Sequence, residues 1–343
     1  MKTVDHKCPN CNAALKYDPK TKGWKCEYCG SSFTLEDLKN NENNFTETKV
    51  KKEEEMTEMD EYYCQDCGAK IVADPNTAAT FCVYCKNTAI LKSRLADKFS
   101  PSKIIPFTKT KEDAIEAFKK VGKGKFLMPK EFSDPKNIQE LTGVYIPFWL
   151  FSGNIDGKVQ GTGNRVMTWS DKDYIYTKTD VYSLERNGVC TFSNVPCDGS
   201  MRFDDAIMNS IEPFDYKELT DFSYSYLSGF LAEKYDVEQD KAKEEILKRT
   251  KASCESKLHP VGYSGYKQTS SVMNVMDDNT LYALLPVWMV NIKYQDKMHT
   301  FAMNGQTGKM IGDIPYSKSK ALVFGIIVFL ISFALLALIT YFI

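Results

Sequence analysis

Histidine is scarce in this sequence, and neither sign of charge is in excess. Three histidines occur in 343 residues, and 44 Lys plus Arg stand against 45 Asp plus Glu, which gives a formal net charge of -1. A near-neutral chain has no global attraction to nucleic acid or anionic lipid, so any such binding must be local. His259 and His299 lie in no motif that would make either one a general base. Since no catalytic constellation is recognisable, we expect no enzymatic activity.

The first ten residues lack an apolar run, and the last 23 lack a charge. From the opening MKTVDHKCPN we expect no secretory signal, and from Lys2 in place of glycine we expect no myristoylation. At ~1.5 Å per residue, the apolar run 321–343 is long enough to cross a ~30 Å hydrocarbon core. Lys318 and Lys320 precede it, so the positive-inside rule predicts a single-pass, tail-anchored cell-membrane protein with residues 1–320 in the cytoplasm.

Eight of the 11 cysteines form Cys-x-x-Cys pairs, and the pairs are arranged as a repeat. The first set is Cys8, Cys11, Cys26 and Cys29, and the second set is Cys64, Cys67, Cys82 and Cys85. Two residues between cysteines let one tight knuckle present both sulfurs to one ion, and two knuckles complete a tetrahedral site. Asn12, Gly30 and Gly68 follow three of the pairs and suit a turn with a positive φ. The pattern predicts two zinc ribbons, each with one structural Zn²⁺.

Other chemistries remain open for such cysteines: a rubredoxin-like iron site, a redox dithiol or disulfides. A reducing cytosol disfavours disulfides, four coordinated thiolates disfavour redox turnover, and the spacing favours zinc. A complete thiolate shell leaves no position for water or substrate, so we expect the zinc ions to be structural rather than catalytic. His6 offers a substitute ligand, but with four thiolates present we interpret it as a surface residue.

The predicted fold is multi-domain, with two small four-cysteine ribbons, an α+β middle domain rich in antiparallel strands and one C-terminal transmembrane helix. In chain order, the predicted regions are a zinc ribbon at 1–35, an acidic linker at 36–61, a second ribbon at 62–95, the α+β domain at 96–316 and the transmembrane helix at 321–343. The linker carries ten acidic and four basic residues, which is typical of a flexible or partly helical tether.

Within the middle domain, Thr110 begins a capping box and the apolar stripe over 239–258 predicts the strongest helix. The alternation over 174–182 predicts a strand. Two segments resemble each other, Ile-Pro-Phe-Trp-Leu-Phe at 146–151 and Leu-Pro-Val-Trp-Met-Val at 285–290. This similarity raises the hypothesis of a duplicated α+β half, and we expect the two tryptophans to be core residues rather than the lining of a ligand groove.

Two further features need an interpretation. The string Asn-Gly-Gln-Thr-Gly-Lys at 304–309 fails as a phosphate-binding loop, because Met303 stands where the first glycine belongs and Met310 where Ser or Thr belongs. A hairpin turn explains it better. Cys190, Cys197 and Cys254 lie outside both ribbons; we expect buried free thiols, and Cys190 and Cys197 are close enough in sequence to pair on oxidation.

Four features of the sequence together form a recognisable pattern. They are the ribbon cysteines, the Pro-x-Trp strand openings, the stretch 301–309 (FAMNGQTGK) followed by Gly-Asp-Ile-Pro, and the apolar run. It resembles the TFIIB-type zinc-ribbon membrane proteins of Firmicutes, the YdjG-like group. Members are often labelled PriA-like or replication-restart helicase, but this chain lacks the nucleotide-binding motif that a helicase needs. The resemblance implies protein partners of the PspA envelope-stress type and the band-7 scaffold type.

The sequence therefore predicts a membrane-anchored zinc-ribbon adaptor that faces the cytoplasm and recruits such proteins. The alternative is a membrane-tethered nucleic-acid-binding protein. The second ribbon carries Lys70, Lys86, Lys92 and Arg94, a small surplus of positive charge without a basic stripe, so nucleic acid is the weaker prediction. No small-molecule substrate is indicated.

Overall fold

The computed structural model describes residues 7–42, 60–63, 70–73, 76–82, 88–91, 95, 99–134, 136, 138, 140–295, 297–312 and 314–342. Within them the strands are β1 Leu15–Asp18, β2 Gly23–Cys26, β3 Ser32–Phe33, β4 Asp60–Tyr63, β5 Lys70–Ala73, β6 Thr77–Phe81, β7 Thr88–Ile90, β8 Lys103–Ile104, β9 Thr142–Ser170, β10 Ile175–Asp198, β11 Thr220–Asp221, β12 Leu231–Glu233, β13 Ser264–Tyr294, β14 Lys297–Asn304 and β15 Met310–Ile311. The α-helices are α1 Leu35–Glu42, α2 Lys111–Gly122, α3 Asp205–Ser210, α4 Gln239–Leu258 and α5 Lys318–Phe342.

Two very long strands organise the middle of the chain. β9 has 29 residues, β13 has 31, and they pair antiparallel over most of their length. β10 pairs antiparallel with β9, and β14 pairs antiparallel with β13. Short parallel pairings add β12 to β9 and β8 to β13. The predicted strand-rich middle sheet is thereby confirmed.

The similar segments of β9 and β13 are paired with each other around a local two-fold axis. Ile146 lies opposite Leu285, with each proline one residue further along its own strand. The indole N–H of Trp149 donates to the carbonyl oxygen of Val237, and that of Trp288 donates to Lys109, at 2.9 Å in both cases. Each acceptor stands two residues before a helix, α4 in one half and α2 in the other. This arrangement supports the hypothesis of a duplicated half.

The turns that follow β10 and β14 repeat the same hydrogen bonds. The backbone N–H of Gly199 donates to Pro147 at 2.9 Å, and that of Gly305 donates to Pro286 at 2.8 Å. Asp198 and Asn304, one residue earlier, each accept a backbone N–H from two residues ahead through their side-chain oxygens. The stretch 304–309 closes the β14–β15 hairpin, so the hairpin-turn interpretation is confirmed.

Alternate side chains of β9 and β13 enter two hydrophobic cores on opposite faces of the sheet. Tyr145, Trp149 and Trp288 belong to the larger core, which α2, α4 and the first cysteine region cover. Ile146 and Leu285 belong to the smaller core, which the segment around α3 covers. Both tryptophans are buried, at 5% and 6% exposure, so the prediction that they are core residues is confirmed.

The two main helices begin and end where the sequence predicts. Thr110 caps α2 in a capping box with Asp113, and α2 ends at Gly122. α4 spans Gln239–Leu258, and its buried residues follow the predicted stripe. They are Ala242, Ile246, Thr250 and Cys254.

The outer part of the long strands forms a three-stranded arm. α4 packs against β9, β10 and β13, but beyond Asn164 the strand β9 is exposed on both faces. The hairpin tip between β9 and β10 carries exposed Trp169 and Tyr176, whose rings stack at 5.7 Å. The predicted strand at 174–182 is the first third of β10. The arm was not predicted in its full length.

At the C-terminal end, α5 is an apolar helix. The most apolar 18 residues of this helix have a mean hydropathy of 3.1, none of them is buried, and the helix is long and apolar enough to cross a membrane. It starts three residues before the predicted apolar run, so that Lys318 and Lys320 lie in its first turn.

Candidate metal centre

The first four cysteines lie on two knuckles with the same backbone geometry. In the first, the N–H of Cys8 donates to Ala13 and the N–H of Asn12 donates back to Cys8, at 2.7 and 2.8 Å. In the second, Cys26 donates to Ser31 and Gly30 donates to Cys26, at 2.9 and 3.0 Å. Each loop closes through one residue with positive φ: Asn12 at 63° and Gly30 at 75°. The predicted turn residues of both knuckles are thus confirmed.

These knuckles bring four sulfurs to one point. All four Sγ atoms lie within 4.8 Å of one another, with Cys8 and Cys29 at 3.6 Å and Cys11 and Cys26 at 3.5 Å. A tetrahedral zinc with Zn–S bonds of ~2.3 Å requires S–S distances of ~3.8 Å. The four thiols therefore fit one zinc ion, which would fill its coordination shell and serve structure rather than catalysis.

The thiols have unequal acidities. The backbone N–H of Ala13 lowers the pKa of Cys11, but burial and its three neighbouring thiols outweigh it and raise that pKa to about 12. The side chain and backbone of Ser31 lower the pKa of Cys29 to about 6. A metal is bound by thiolates, so a divalent cation supplies the charge that lets all four crowded sulfurs lose their protons.

The four-cysteine region is fastened to the middle domain by aromatic residues. The indole of Trp24, in β2, donates to the carbonyl oxygen of Ser225 at 2.8 Å, and Trp24 is 1% exposed. Tyr17, in β1, donates its backbone N–H to Ser228 at 3.1 Å, and its ring lies 5.5 Å from that of Tyr226. The region therefore shares the larger hydrophobic core, which its short sequence could not build alone.

The second cysteine set falls largely outside the described residues. Cys64, Cys67 and Cys85 are not among them, and neither are Gly68 and His6, whereas Cys82 is fully buried at the end of β6. The described strands also pair differently from those of the first set. β1 pairs with β2, but their counterparts β5 and β6 pair with β4 and with β7 and β12. A second zinc ribbon is not shown.

The remaining cysteines form a pair that the sequence did not predict. The Sγ atoms of Cys190, in β10, and Cys254, in α4, are 2.7 Å apart. Cys254 is fully buried, as expected for a residue on the helix stripe, and Cys190 and Cys197 are half-buried. The adjacency of Cys190 and Cys197 in the sequence gave no sign that the partner of Cys190 lies on a helix 64 residues away.

Another residue that the sequence reading missed is Asp198. Burial raises its pKa to about 7, and its Oδ2 atom is buried with no hydrogen-bond partner among the described residues. In the other half, Asn304 occupies this position and its amide donates to Ile211 and Pro213, at 3.1 and 3.3 Å. Only the pairing of the two halves reveals that these residues are equivalent.

Comparison with known proteins gives one extensive match. No family model and no solved structure matches the chain. The uncharacterized protein YdjG of Bacillus subtilis (strain 168) is 35% identical over 321 residues, which is 92% of this chain and 92% of that protein. The protein therefore belongs to the YdjG family.

Proposed function

We propose that this protein is a membrane-anchored adaptor whose TFIIB-type zinc ribbon recruits a protein partner to the cytoplasmic side of the membrane. The observation that carries the proposal is the continuous connection between the four-cysteine site and the apolar helix. Trp24 ties the site to the core at one end, and the backbone N–H of Ser317 donates to Leu127 at the start of α5, at 2.8 Å. A partner held by the ribbon is thereby held at the membrane.

Among the described residues, one face of the ribbon is exposed and supports the proposed binding. Trp24 faces the middle domain, whereas Tyr28, at the tip of the second knuckle, is 84% exposed. Cys29, beside it, is exposed as well. Tyrosine supplies a large contact area together with a hydroxyl group, which is why it is enriched in protein–protein interfaces. A rigid knuckle that presents one exposed tyrosine suits a protein partner.

The charges of the ribbon favour protein over nucleic acid. Lys16 pairs with Glu27 at 2.7 Å, and Lys22 pairs with Glu218 at 2.9 Å. A nucleic-acid binder needs clustered lysines and arginines that are available to phosphate. Two of the ribbon lysines already have carboxylate partners, one of them in the middle domain.

The proposal includes a second structural zinc on Cys64, Cys67, Cys82 and Cys85, for which the repeated spacing is the support. It also includes α5 as a transmembrane anchor, with Lys318 and Lys320 on the cytoplasmic side. PspA-type and band-7 proteins are the partner classes that the family resemblance implies. The protein acts by binding and not by catalysis.

The test uses the full chain, purified with zinc in detergent and immobilised. Purified PspA-type and band-7 proteins from the same bacterium are passed over it, and we expect one of them to bind. Tyr28→Ala should weaken that binding at least about tenfold, as loss of an interface tyrosine does. Tyr174→Ala is the matched control, because Tyr174 is also exposed, at 67%, but lies on the arm.

Two outcomes would contradict the proposal. One is equal binding by the Tyr28→Ala variant, which would remove the ribbon from the interface. The other is submicromolar binding of duplex or single-stranded DNA with a steep salt dependence, which would favour the nucleic-acid-binding alternative.

A further inference from the structure

The loop between α2 and the next turn of the chain is attached to the start of the apolar helix. The carbonyl oxygen of Leu127 accepts the backbone N–H of Ser317 at 2.8 Å. The ammonium group of Lys320 donates to the carbonyl oxygen of Met128 at 2.7 Å. These two bonds fix residues 123–128, here called the anchor loop, against the first turn of α5.

The anchor loop also carries an aromatic side chain along the helix. The rings of Phe126 and Phe324 are 4.9 Å apart, and Phe126 is 65% exposed. Phe324 lies four residues beyond Lys320, so Phe126 is ~6 Å further along the helix axis than the last lysine. If α5 crosses a membrane, the exposed ring of Phe126 lies at the boundary between headgroups and hydrocarbon.

Lysines surround this point. Lys119 and Lys120 end α2, and Lys123 and Lys125 lie in the anchor loop. Among the residues that line the neighbouring cavity, the acidic one is Glu116, which pairs with Lys120 at 2.8 Å. Phosphate headgroups attract lysines at a membrane surface, and anionic lipids attract them most.

The cavity beside the loop has an apolar floor under this basic rim. Its volume is about 430 Å³, and Phe118, Met128 and Phe132 form part of the floor. Lys119, Lys120 and Lys123 lie at its edge. An apolar recess rimmed by lysines fits a phospholipid, because the same molecule offers acyl carbon to the floor and phosphate to the rim.

We propose that the anchor loop and the end of α2 form a docking surface for anionic phospholipid. Phe126 enters the interface, and Lys119, Lys120, Lys123 and Lys125 contact the headgroups. This inference rests on the membrane anchor of the proposed function. It adds that the folded domain itself lies on the membrane and selects the lipids beneath it.

The experiment places the full chain with Phe126→Trp in nanodiscs that contain phosphatidylcholine and phosphatidylglycerol at equal mole fraction. In one preparation the phosphatidylcholine is brominated, and in the other the phosphatidylglycerol is brominated. The emission of the added tryptophan is the emission of this variant minus that of the parent chain in the same nanodiscs. We expect quenching by both lipids, and quenching by phosphatidylglycerol roughly twofold stronger or more at low salt.

Lys123→Gln with Lys125→Gln, in the Phe126→Trp background, should remove the preference for phosphatidylglycerol and retain part of the quenching. The matched control is Lys172→Gln with Lys267→Gln, two exposed lysines on the arm. That control should keep the preference.

Contrary outcomes separate this inference from the proposed function. An added tryptophan that no brominated lipid quenches, in a chain that has entered the nanodisc, would overturn the docking surface while the anchor stands. Equal quenching by both lipids would overturn the selection of anionic lipid. A chain that does not enter nanodiscs would overturn the anchor itself, and a failed partner-binding test would leave the lipid surface intact.

Discussion

Internal repetition occurs both in the middle domain and in the two cysteine sets, and different properties are repeated in each. The two halves of the middle domain share little sequence beyond a Pro-x-Trp opening, yet Trp149 and Trp288 make the same hydrogen bond at the same place. The two cysteine sets share spacing and neighbours, yet β5 and β6 do not form the hairpin that β1 and β2 form. Backbone geometry is repeated in the first case, and the spacing of the cysteines in the second.

The difference follows from what holds each unit together. A half of the middle domain is held by backbone hydrogen bonds and by core volume, which many sequences can supply. A four-cysteine unit is held by its ion, so the ligands must stay while the surrounding strands are free to find other partners. The five experiments that follow test this contrast, from the largest expected effect to the smallest.

Metal removal tests the cysteine duplication and should have the largest effect. A structural zinc contributes ~10 kcal/mol or more to folding. We expect two zinc ions per chain by elemental mass spectrometry and one in Cys26→Ser. Cys197→Ser, outside both sets, is the control and should retain two. A single zinc ion in the parent chain would mean that the second cysteine set repeats the sequence pattern of the first without binding zinc.

Truncation of the two tryptophans tests the middle-domain duplication. Trp149→Ala and Trp288→Ala should each lower the free energy of unfolding by about 3–5 kcal/mol, because each removes a buried ring and leaves a carbonyl oxygen unpaired. Denaturant titration of the full chain in detergent measures both. Trp169→Ala, at an exposed position, should change stability little. A much larger loss of stability in one of these two variants than in the other would mean that one half contributes most of the stability of the domain.

The equivalent positions 198 and 304 allow a reciprocal exchange. Asn304→Asp replaces an amide that donates to Ile211 and Pro213 with a buried carboxylate that repels those carbonyl oxygens. We expect a loss of about 3 kcal/mol near neutral pH. The loss should shrink in acid, where the new carboxyl group is protonated and donates again. A loss that is the same at every pH would contradict this account.

The opposite exchange should stabilise the protein at high pH. Burial raises the pKa of Asp198 from 3.8 to about 7, so between these values the folded state holds a proton that the unfolded state has released. The free energy of unfolding therefore falls as pH rises through this window. Asp198→Asn should remove the contribution of this carboxyl group to the slope and raise stability by about 2 kcal/mol above neutral pH.

A second buried carboxyl group contributes to the same pH dependence of stability. Burial also raises the pKa of Glu212, to about 7, so Asp198→Asn flattens the dependence without abolishing it. Thermal melts between about pH 4 and pH 8 give the profile, and Asp204→Asn, a change at an exposed helix cap, serves as the control. A steeper slope in Asp198→Asn than in the parent would reverse the assignment.

The cysteine pair between β10 and α4 occurs in one half alone among the described residues, and its removal should have the smallest effect. Cys254→Ala removes one buried sulfur beside Gly157 and should cost about 1 kcal/mol. On treatment with hydrogen peroxide, the thiols of Cys190 and Cys254 should lose two protons and two electrons to form a disulfide, while peroxide becomes water. Peptide mapping should find this bond in Cys197→Ala too. A bond between Cys190 and Cys197 in the parent would contradict the observed geometry.

Local chemistry made part of this structure predictable. The knuckle turns follow from Asn12 and Gly30, because few other residues adopt a positive φ at low cost. The start of α2 follows from Thr110, and the bounds of α4 from its apolar stripe. In each case the determining residues lie within one or two turns of the feature.

Long-range pairing made the rest unpredictable. No local pattern shows that β9 continues for 29 residues, because its inner part is buried on both faces and its outer part on neither. The docking of Trp24 on Ser225 and the meeting of Cys190 with Cys254 join residues far apart in the sequence. Such contacts depend on the whole topology, which a single sequence does not display.

The hairpin tip of the arm lies far from the anchor loop. Phe132 packs against Tyr294, so the anchor loop lies near the end of the sheet where β9 begins, and the hairpin tip lies at the other end. At ~3.3 Å per residue, the length of β9 separates them by ~90 Å. A tilt of ~10° about the anchor would move the tip by ~15 Å over this length. Contact of Phe126 with the membrane, as proposed, would therefore limit the area over which the hairpin tip moves.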